Sequence, residues 1–453
     1  MKARRSAEFE IKIDKLVYGG SGLGRHEGKV VFVPFTAPGD RVRVRLAEQK
    51  RNFARASVVE LLEPGPGRQD PPCPHFGVCG GCQWQHLEYA QQLEFKRRIL
   101  EETLHHHLPE TRTLKIRMTA SPQPLGYRTR ARIQMAGAGP GARAGFFRLQ
   151  SHRIEDVKSC PLFHPALNRA LEQVRGLHSR GELGGEVRQM DLACDPDEGL
   201  WAIAPAAEDK ASTGSPESQS RENPETLLPR RVGAFTYHIS PSTFFQANYL
   251  LLGPMVEKVR ELAREAGLAA ALDLFSGAGL FALPLALQFR RVVAVEASAA
   301  ASRLCERNAR DAGLIHVQCI CAAVTAWMKA VGSVAAPDFD LVVLDPPRAG
   351  AGNDVMQQLV EWSPETIIYV SCDPQTLARD LTCLAPRYYR IDAIEGFDLF
   401  PQTFHIETVV RLRRIRPGSD LRPQGSDLRD QTSGIRPQGS DLRPDLKNLK
   451  SEV

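Results

Sequence analysis

Between residues 8 and 62, apolar and polar positions alternate with a period of two in FEIKIDKLV, GKVVFVPF, DRVRVRLAEQ and ARASVVELL. Gly, Pro and Asp turns separate these stretches, so the pattern predicts short strands closing into a small OB-like β-barrel. Residues 63–82 lose the period and are rich in Pro, Gly and Cys, which predicts irregular chain. Residues 88–108 read as one helix, with Leu93, Ile99, Leu100 and Leu104 on its apolar stripe. Mixed, mostly strand-like sequence follows from about residue 111 to 205, and 207–230 is a polar stretch that reads as a surface insertion. From about residue 246 the pattern changes. ALDLFS, VVAVEA, HVQCICA, LVVLDPP and IIYVSCD are short apolar runs that end in turn or polar residues, with helical stretches between them. That alternation predicts a doubly wound α/β domain with a parallel sheet.

The expected fold class is therefore α/β plus β. Four segments are expected: a β-barrel over 1–64, a mixed α+β central domain over 65–245, the α/β domain over 246–414, and a low-complexity tail over 415–453. The tail repeats RPGSDLR and RPQGSDLR with nearly balanced charge, and it reads as a disordered extension rather than a basic arm. The N-terminal stretch MKARRSAEFEIKIDKL has no apolar core, so no signal peptide is expected. No run approaches the roughly 18 apolar residues a membrane helix needs. A soluble, cytoplasmic monomer away from membranes is the expectation.

Charge narrows the choice of partners. The 453 residues carry 58 Lys+Arg against 53 Asp+Glu, a formal net charge of +5. A histone-like polycation is excluded, and any nucleic-acid surface must be local. Arg41, Arg43, Arg45, Lys50, Arg51 and Arg55 crowd one predicted hairpin with Glu48. Alternation puts Arg41, Arg43 and Arg45 on one face, which is either an RNA-facing stripe or an ordinary solvated face.

The α/β domain carries candidate chemistry at its predicted strand ends. ALDLFSGAGLFALPLA is a strand, a Gly-rich turn and a helix start, where Gly277 and Gly279 let backbone approach a ligand. Glu296 ends the next strand, about 20 residues on, where a carboxylate suits ribose hydroxyls. The same pattern fits a dinucleotide fingerprint. Asp273, just before the loop, suits the ammonium of S-adenosylmethionine and would repel a pyrophosphate. Asp345, at the end of LVVLDPPR, faces the same crevice. Arg348 stands where amine methyltransferases place a base-stacking aromatic residue, so an exocyclic amine is a poor acceptor.

IIYVSCDPQTLARDL puts Cys372 at a strand end before a helix start, where a thiol pKa can fall. A thiolate suits methylation at C5 of a pyrimidine, because its addition at C6 makes C5 nucleophilic. A base must then take the C5 proton, and Glu407 in FPQTFHIETVVRLRR is the candidate.

Taken together, these motifs resemble the RNA (uracil-5-)-methyltransferase family from about residue 8 to Arg414. The resemblance implies a Rossmann-like class I methyltransferase domain that binds S-adenosylmethionine through Gln246 of SPSTFFQANYL, Phe275, Glu296 and Asp345. It implies Cys372 as nucleophile and Glu407 as base. Ser276 stands where many members have cysteine. The N-terminal barrel is similar to a TRAM domain, an RNA-binding module that marks the 23S rRNA branch. The implied substrate is an unpaired or flipped uridine, in 23S rRNA before tRNA. An RNA m5C methyltransferase and a non-catalytic RNA-binding assembly factor are the rivals.

Ten cysteines divide unevenly. Cys194, Cys305, Cys319, Cys321 and Cys383 read as bystanders. Cys73, Cys79 and Cys82 are closely spaced and Cys160 follows far downstream, a pattern that fits zinc or an iron–sulfur cluster. The resemblance implies a [4Fe-4S] cluster at these four positions. His75 and His86 read as loop residues.

Overall fold

A computed structural model of the chain describes residues 7–184, 186–206, 227–267, 269–332 and 338–416. Strands β1 (Glu8–Leu16), β2 (Gly22–His26), β3 (Lys29–Val33), β4 (Arg41–Gln49) and β5 (Phe53–Glu63) close into a barrel in the order β1-β2-β3-β5-β4. Alternation fills it with Ile11, Ile13, Val31, Val33, Val42, Val44, Ala54 and Ala56. It also leaves Arg41, Arg43 and Arg45 on the outer face of β4, as the period requires.

Helix α1 (Tyr89–His107) and strand β6 (Arg117–Thr119) follow. Next come β7 (Arg130–Ala136), β8 (Arg143–Phe147), β9 (Ile154–Asp156), α2 (Pro165–Ser179), β10 (Gln189–Cys194) and β11 (Trp201–Pro205). These strands form an antiparallel sheet, β11-β10-β7-β8-β9. Helix α2 covers it by packing Leu167, Leu171 and Val174 against Ile133, Met190 and Leu192. Residues 207–226 of the polar insertion lie outside the described residues. Leu228–Arg230, at its end, belong instead to β12 (Leu228–Val232), which pairs with β13 (Phe235–Ile239). Arg230 is buried there because its guanidinium donates to Thr129 Oγ1 at 2.9 Å and to the Cys194 carbonyl.

The rest of the described chain is α3 (Tyr249–Ala263), β14 (Ala270–Leu274), α4 (Ala282–Leu285), β15 (Arg291–Glu296), α5 (Ala299–Asp311), β16 (Val317–Cys321), α6 (Val324–Gly332), β17 (Leu341–Leu344), α7 (Asn353–Trp362), β18 (Thr366–Ser371), α8 (Pro374–Leu381), β19 (Tyr389–Phe397) and β20 (Glu407–Arg414). The sheet order is β16-β15-β14-β17-β18-β20-β19-β6. Strands β14 to β18 are mutually parallel, and β20 enters antiparallel between β18 and β19.

Two apolar clusters cover this sheet. One includes Leu272, Leu344, Tyr369, Leu377 and Leu381, and Leu100, Leu104 and Leu108 from α1 and its C-terminal end join it. The other includes Ala271, Val343, Ile368, Leu251 and Met255. Helix α1 and strand β6, both within 65–245, thus pack with the C-terminal sheet, while β7–β11 and α2 form a separate layer. Among the described residues no helix is long and apolar enough to cross a membrane. Residues 417–453, most of the expected tail, lie outside the described residues.

Candidate active site

The parallel strands end along one edge of the sheet, and Phe275, Glu296, Asp345 and Cys372 sit at or just past those ends. After β14 the chain turns sharply. Phe275 adopts φ 62°, Gly277 55° and Gly279 90°. The left-handed conformation is free for glycine but strained at Phe275, by about 1–3 kcal/mol. A Cβ on Gly279 would lie 2.7 Å from Leu283 Cδ1 and 2.9 Å from Cys305 Sγ, so the loop tolerates no side chain there. The turn aims the Gly277 N–H at Glu296 Oε2, 2.9 Å away, and the Ser298 N–H holds Oε1 at 2.7 Å. These two donors fix the carboxylate at the strand end and leave lone pairs for a diol.

Three further acids crowd the same floor. Asp273 is fully buried, and its carboxyl has at most a weak contact from the Ala282 N–H, outside good hydrogen-bond geometry. Burial first, and then the nearby Asp345, raise its carboxyl well above the ordinary range. Burial pushes Asp345 up to about 7, opposed by a hydrogen bond from the Gln246 side chain. Glu407 is 1% exposed, and among the described residues neither of its carboxylate oxygens has a hydrogen-bond partner. Burial and then Asp345 push it well up, and Arg348 opposes them. Buried polar groups are rarely left unpaired, so a floor of orphaned carboxyls marks the seat of a cationic or hydrogen-bond-donating ligand.

Cys372 and Glu407 approach through sheet register. Strands β18 and β20 pair Ser371 with Thr408, so the next residue of one and the preceding residue of the other face each other at the crevice. Burial raises the Cys372 thiol to about 12, followed by the charges of Glu407 and Asp345, while Arg348 lowers it. The helix start behind Cys372 is capped by Asp373, whose Oδ1 accepts from the N–H groups of Gln375 at 2.9 Å and Thr376 at 3.0 Å. The lowered thiol pKa expected from that helix start is therefore absent. The helix N-terminus is spent on its own cap, and three carboxyls outweigh the one guanidinium.

Arg348, read from the sequence only as disfavouring an amine acceptor, donates to His405 Nε2 at 3.2 Å, and burial next to that cation pushes the imidazole down to about 3. His405, Phe244 and Arg130 were not read from the sequence. Phe244 is 68% exposed, and the Arg130 guanidinium stands 5.6 Å from its ring centroid. Arg130 also donates to the Pro241 carbonyl at 3.1 Å, so it holds the loop that carries Gln246. The signal for Phe244 was its place two residues before Gln246. Nothing in sequence spacing pointed to Arg130.

Cys73, Cys79, Cys82 and Cys160 line one cavity of about 220 Å³, together with Gln85, Arg128 and Phe163. Among the described residues, no three His, Cys, Asp or Glu side chains converge closely enough to hold a single metal ion. His75 is engaged by Glu155 Oε1 at 2.9 Å, and His86 is buried, with its pKa pushed down to about 4.

The barrel stripe proves charge-balanced. Arg41 pairs with Glu63 at 2.6 Å and Glu10 at 3.0 Å, Arg43 with Glu60 at 2.6 Å, and Arg45 with Glu8 at 2.7 Å. The acids come from the neighbouring strands β1 and β5, which the hairpin sequence alone does not reveal.

A doubly wound sheet with one inserted antiparallel strand, a Gly-rich turn and an acid at the next strand end defines the class I methyltransferase fold. The comparisons agree. Residues 220–415 match the tRNA (Uracil-5-)-methyltransferase family model and residues 2–59 the TRAM domain. The chain is 33% identical to the 23S rRNA (uracil(1939)-C(5))-methyltransferase RlmD of Alkalilimnicola ehrlichii, over 90% of this chain and 96% of that one. It is 31% identical to an uncharacterized RNA methyltransferase of Synechocystis, over 91% of this chain and 97% of the relative. Among solved structures, the Pyrococcus abyssi tRNA (uracil-54, C5)-methyltransferase in complex with S-adenosyl-L-homocysteine superposes with TM-score 0.68 at 26% identity, over 89% of this chain and 100% of that one. This chain belongs to the RNA (uracil-5-)-methyltransferase family and carries an N-terminal TRAM domain.

Proposed function

We propose that this protein methylates C5 of a uridine in RNA, using S-adenosylmethionine, and that its substrate is 23S rRNA. The observation that carries the reading is the register that sets the Cys372 thiol against the buried, unpartnered Glu407 carboxyl. The rRNA substrate rests on the RlmD relative. The tRNA enzyme of Pyrococcus abyssi favours tRNA as the second reading.

Gln246, Phe275, Glu296 and Asp345 are the residues that would hold S-adenosylmethionine, with Asp273 beneath them. Its sulfonium and ammonium fit a floor of orphaned carboxyls. When bound, it supplies an electrophilic methyl group. Cys372 forms a bond to C6 of the uracil, and the ring electrons shift to C5. Once C5 has gained its methyl, Glu407 takes the C5 proton. The electron pair restores the C5–C6 double bond, the S–C6 bond breaks, and the thiolate leaves. A cation against Asp345 relieves the repulsion that raises both Cys372 and Glu407, so a filled cofactor site favours the thiolate and the carboxylate together. Reaching both C5 and C6 requires a base outside the helical stack, and the exposed Phe244 ring, two residues before Gln246, offers a stacking surface.

We further propose that Cys73, Cys79, Cys82 and Cys160 hold a [4Fe-4S] cluster. A single tetrahedral ion needs all its sulfurs about 2.3 Å from one centre. Four thiols spaced around a shared cavity suit a larger group better. Brown colour and iron in anaerobically purified protein, lost in Cys82→Ser, test that assignment. The substrate is tested by mapping 5-methyluridine in rRNA and tRNA from cells with and without this gene. A missing 23S rRNA site supports the reading, and a missing tRNA site alone moves it to tRNA.

A further inference from the structure

The barrel does more than sit beside the methyltransferase sheet. Its turn from β1 to β2 is closed by the Ser21 carbonyl accepting from Val17 N–H at 3.0 Å and the Val17 carbonyl accepting from Gly20 N–H at 3.1 Å. From this turn Tyr18 reaches the segment that bears the nucleophile. Its hydroxyl donates to Asp373 Oδ2 at 3.0 Å and lies 3.5 Å from the Cys372 carbonyl oxygen. The other oxygen of Asp373 caps α8, so one carboxylate ties the barrel to the helix start behind the thiol.

The turn is wedged in place from two more sides. The Tyr18 ring meets Phe404 edge-on, with centroids 5.3 Å apart, and Phe404 leads into the strand that carries Glu407. The Gly20 carbonyl accepts from Trp84 Nε1 at 3.0 Å. A Cβ on Gly20 would fall 2.9 Å from Gln83 Cβ and 3.2 Å from Phe404 Cδ1. Gly20 also has φ 89°, so both space and backbone conformation require glycine. The arginines on the barrel's outer face are, in contrast, occupied by its own acids.

We propose that Tyr18 is a positioning residue for Cys372, and that the barrel is thereby a structural part of the methyltransferase site. This rests on the function proposed above. The Tyr18–Asp373 bond holds the nucleophile's loop against the crevice, with Cys372 facing Glu407. Loss of the hydroxyl frees the loop to sample positions in which sulfur and C6 are misaligned, and misplacement on that scale is costly to the covalent step.

The test uses full-length Tyr18→Phe, which keeps the ring on Phe404 and removes only the hydroxyl. The expected result is a fall in kcat on the order of tenfold. The covalent adduct with 5-fluorouridine RNA should form more slowly by the same factor. The KM for RNA and the affinity for S-adenosylmethionine should stay within about twofold. In an Asp373→Ser background, which keeps a capping oxygen for the helix but is too short to reach Tyr18, Tyr18→Phe should have no further effect, because both changes remove the same bond. If Tyr18→Phe does not fold, Asp373→Ser alone carries the test, with the same loss of kcat expected. Unchanged kcat, weakened RNA binding at full kcat, or additive losses in the double variant would each overturn the proposal. A wild-type protein inactive on every RNA contradicts the proposed function and this inference with it. An active wild type with an unaffected Tyr18→Phe contradicts Tyr18 alone.

Discussion

Cys372 and Glu407 face each other because β18 and β20 run antiparallel and pair Ser371 with Thr408. The rest of the sheet around them is parallel, and its strand ends bring Phe275, Glu296, Asp345 and Cys372 to one side. Only a reversed strand delivers the start of β20, and Glu407 with it, to that same side. The inserted strand is thus the element that completes the site.

Asp345 should carry much of the cofactor affinity. Its carboxyl is buried and takes a hydrogen bond from the Gln246 side chain. Asp345→Asn removes a charge-assisted contact of about 1.5–3 kcal/mol, so S-adenosylmethionine affinity should fall roughly tenfold to a hundredfold by calorimetry. Unchanged affinity would remove Asp345 from the cofactor site.

Glu407→Gln keeps the shape of the base and removes its proton-accepting oxygen. The methylated adduct should then form and fail to resolve. A covalent protein–RNA species should accumulate on denaturing gels while turnover falls by a factor of at least about 100. Normal turnover would show that another group takes the proton.

Two buried imidazoles should lose stability on mild acidification, against the gain from the raised carboxyls of Asp273, Asp345 and Glu407. His86 and His405 are held at about 4 and about 3 in the folded chain, below the ordinary 6.5. At these two sites the unfolded chain binds more protons, so their contribution is complete above about pH 6.5 and declines as pH falls toward the folded values. Each contributes a slope of up to about 1.4 kcal/mol per pH unit. Denaturant titrations at pH 7 and pH 5 should therefore show His86→Gln losing less stability, or gaining more, than the wild type on going to pH 5. An identical pH dependence in the two proteins would contradict the buried neutral His86.

Lys96 and Asp398 form a fully buried ion pair at 2.6 Å. Lys96→Met leaves Asp398 buried with one charge uncompensated and should cost about 3–5 kcal/mol of stability. A change below about 1 kcal/mol would mean that Asp398 is neutral or rehydrated.

That pair also marks where the sequence stopped being legible. Of the α1 stripe expected at Leu93, Ile99, Leu100 and Leu104, the last three are buried. Leu93 is only partly covered, while Gln92 and Lys96 are buried because Gln402 and Asp398 meet them from over 300 residues away. Local periodicity cannot report a partner that distant. The barrel, the parallel strands and the acids at their ends were legible because each follows from alternation or from a turn. The neutralised arginines, the Arg130–Phe244 pair and the Tyr18 contact were not, because each depends on which strands become neighbours. The short β6, which extends the C-terminal sheet from residues read as central, belongs to the same group.

The covalent bond itself is the central claim. Protein incubated with S-adenosylmethionine and 5-fluorouridine RNA, digested and sequenced by mass spectrometry, should carry a methylated fluorouridine on Cys372, and Cys372→Ala should carry none. An adduct on another residue, or methyl transfer that persists in Cys372→Ala, would contradict the account.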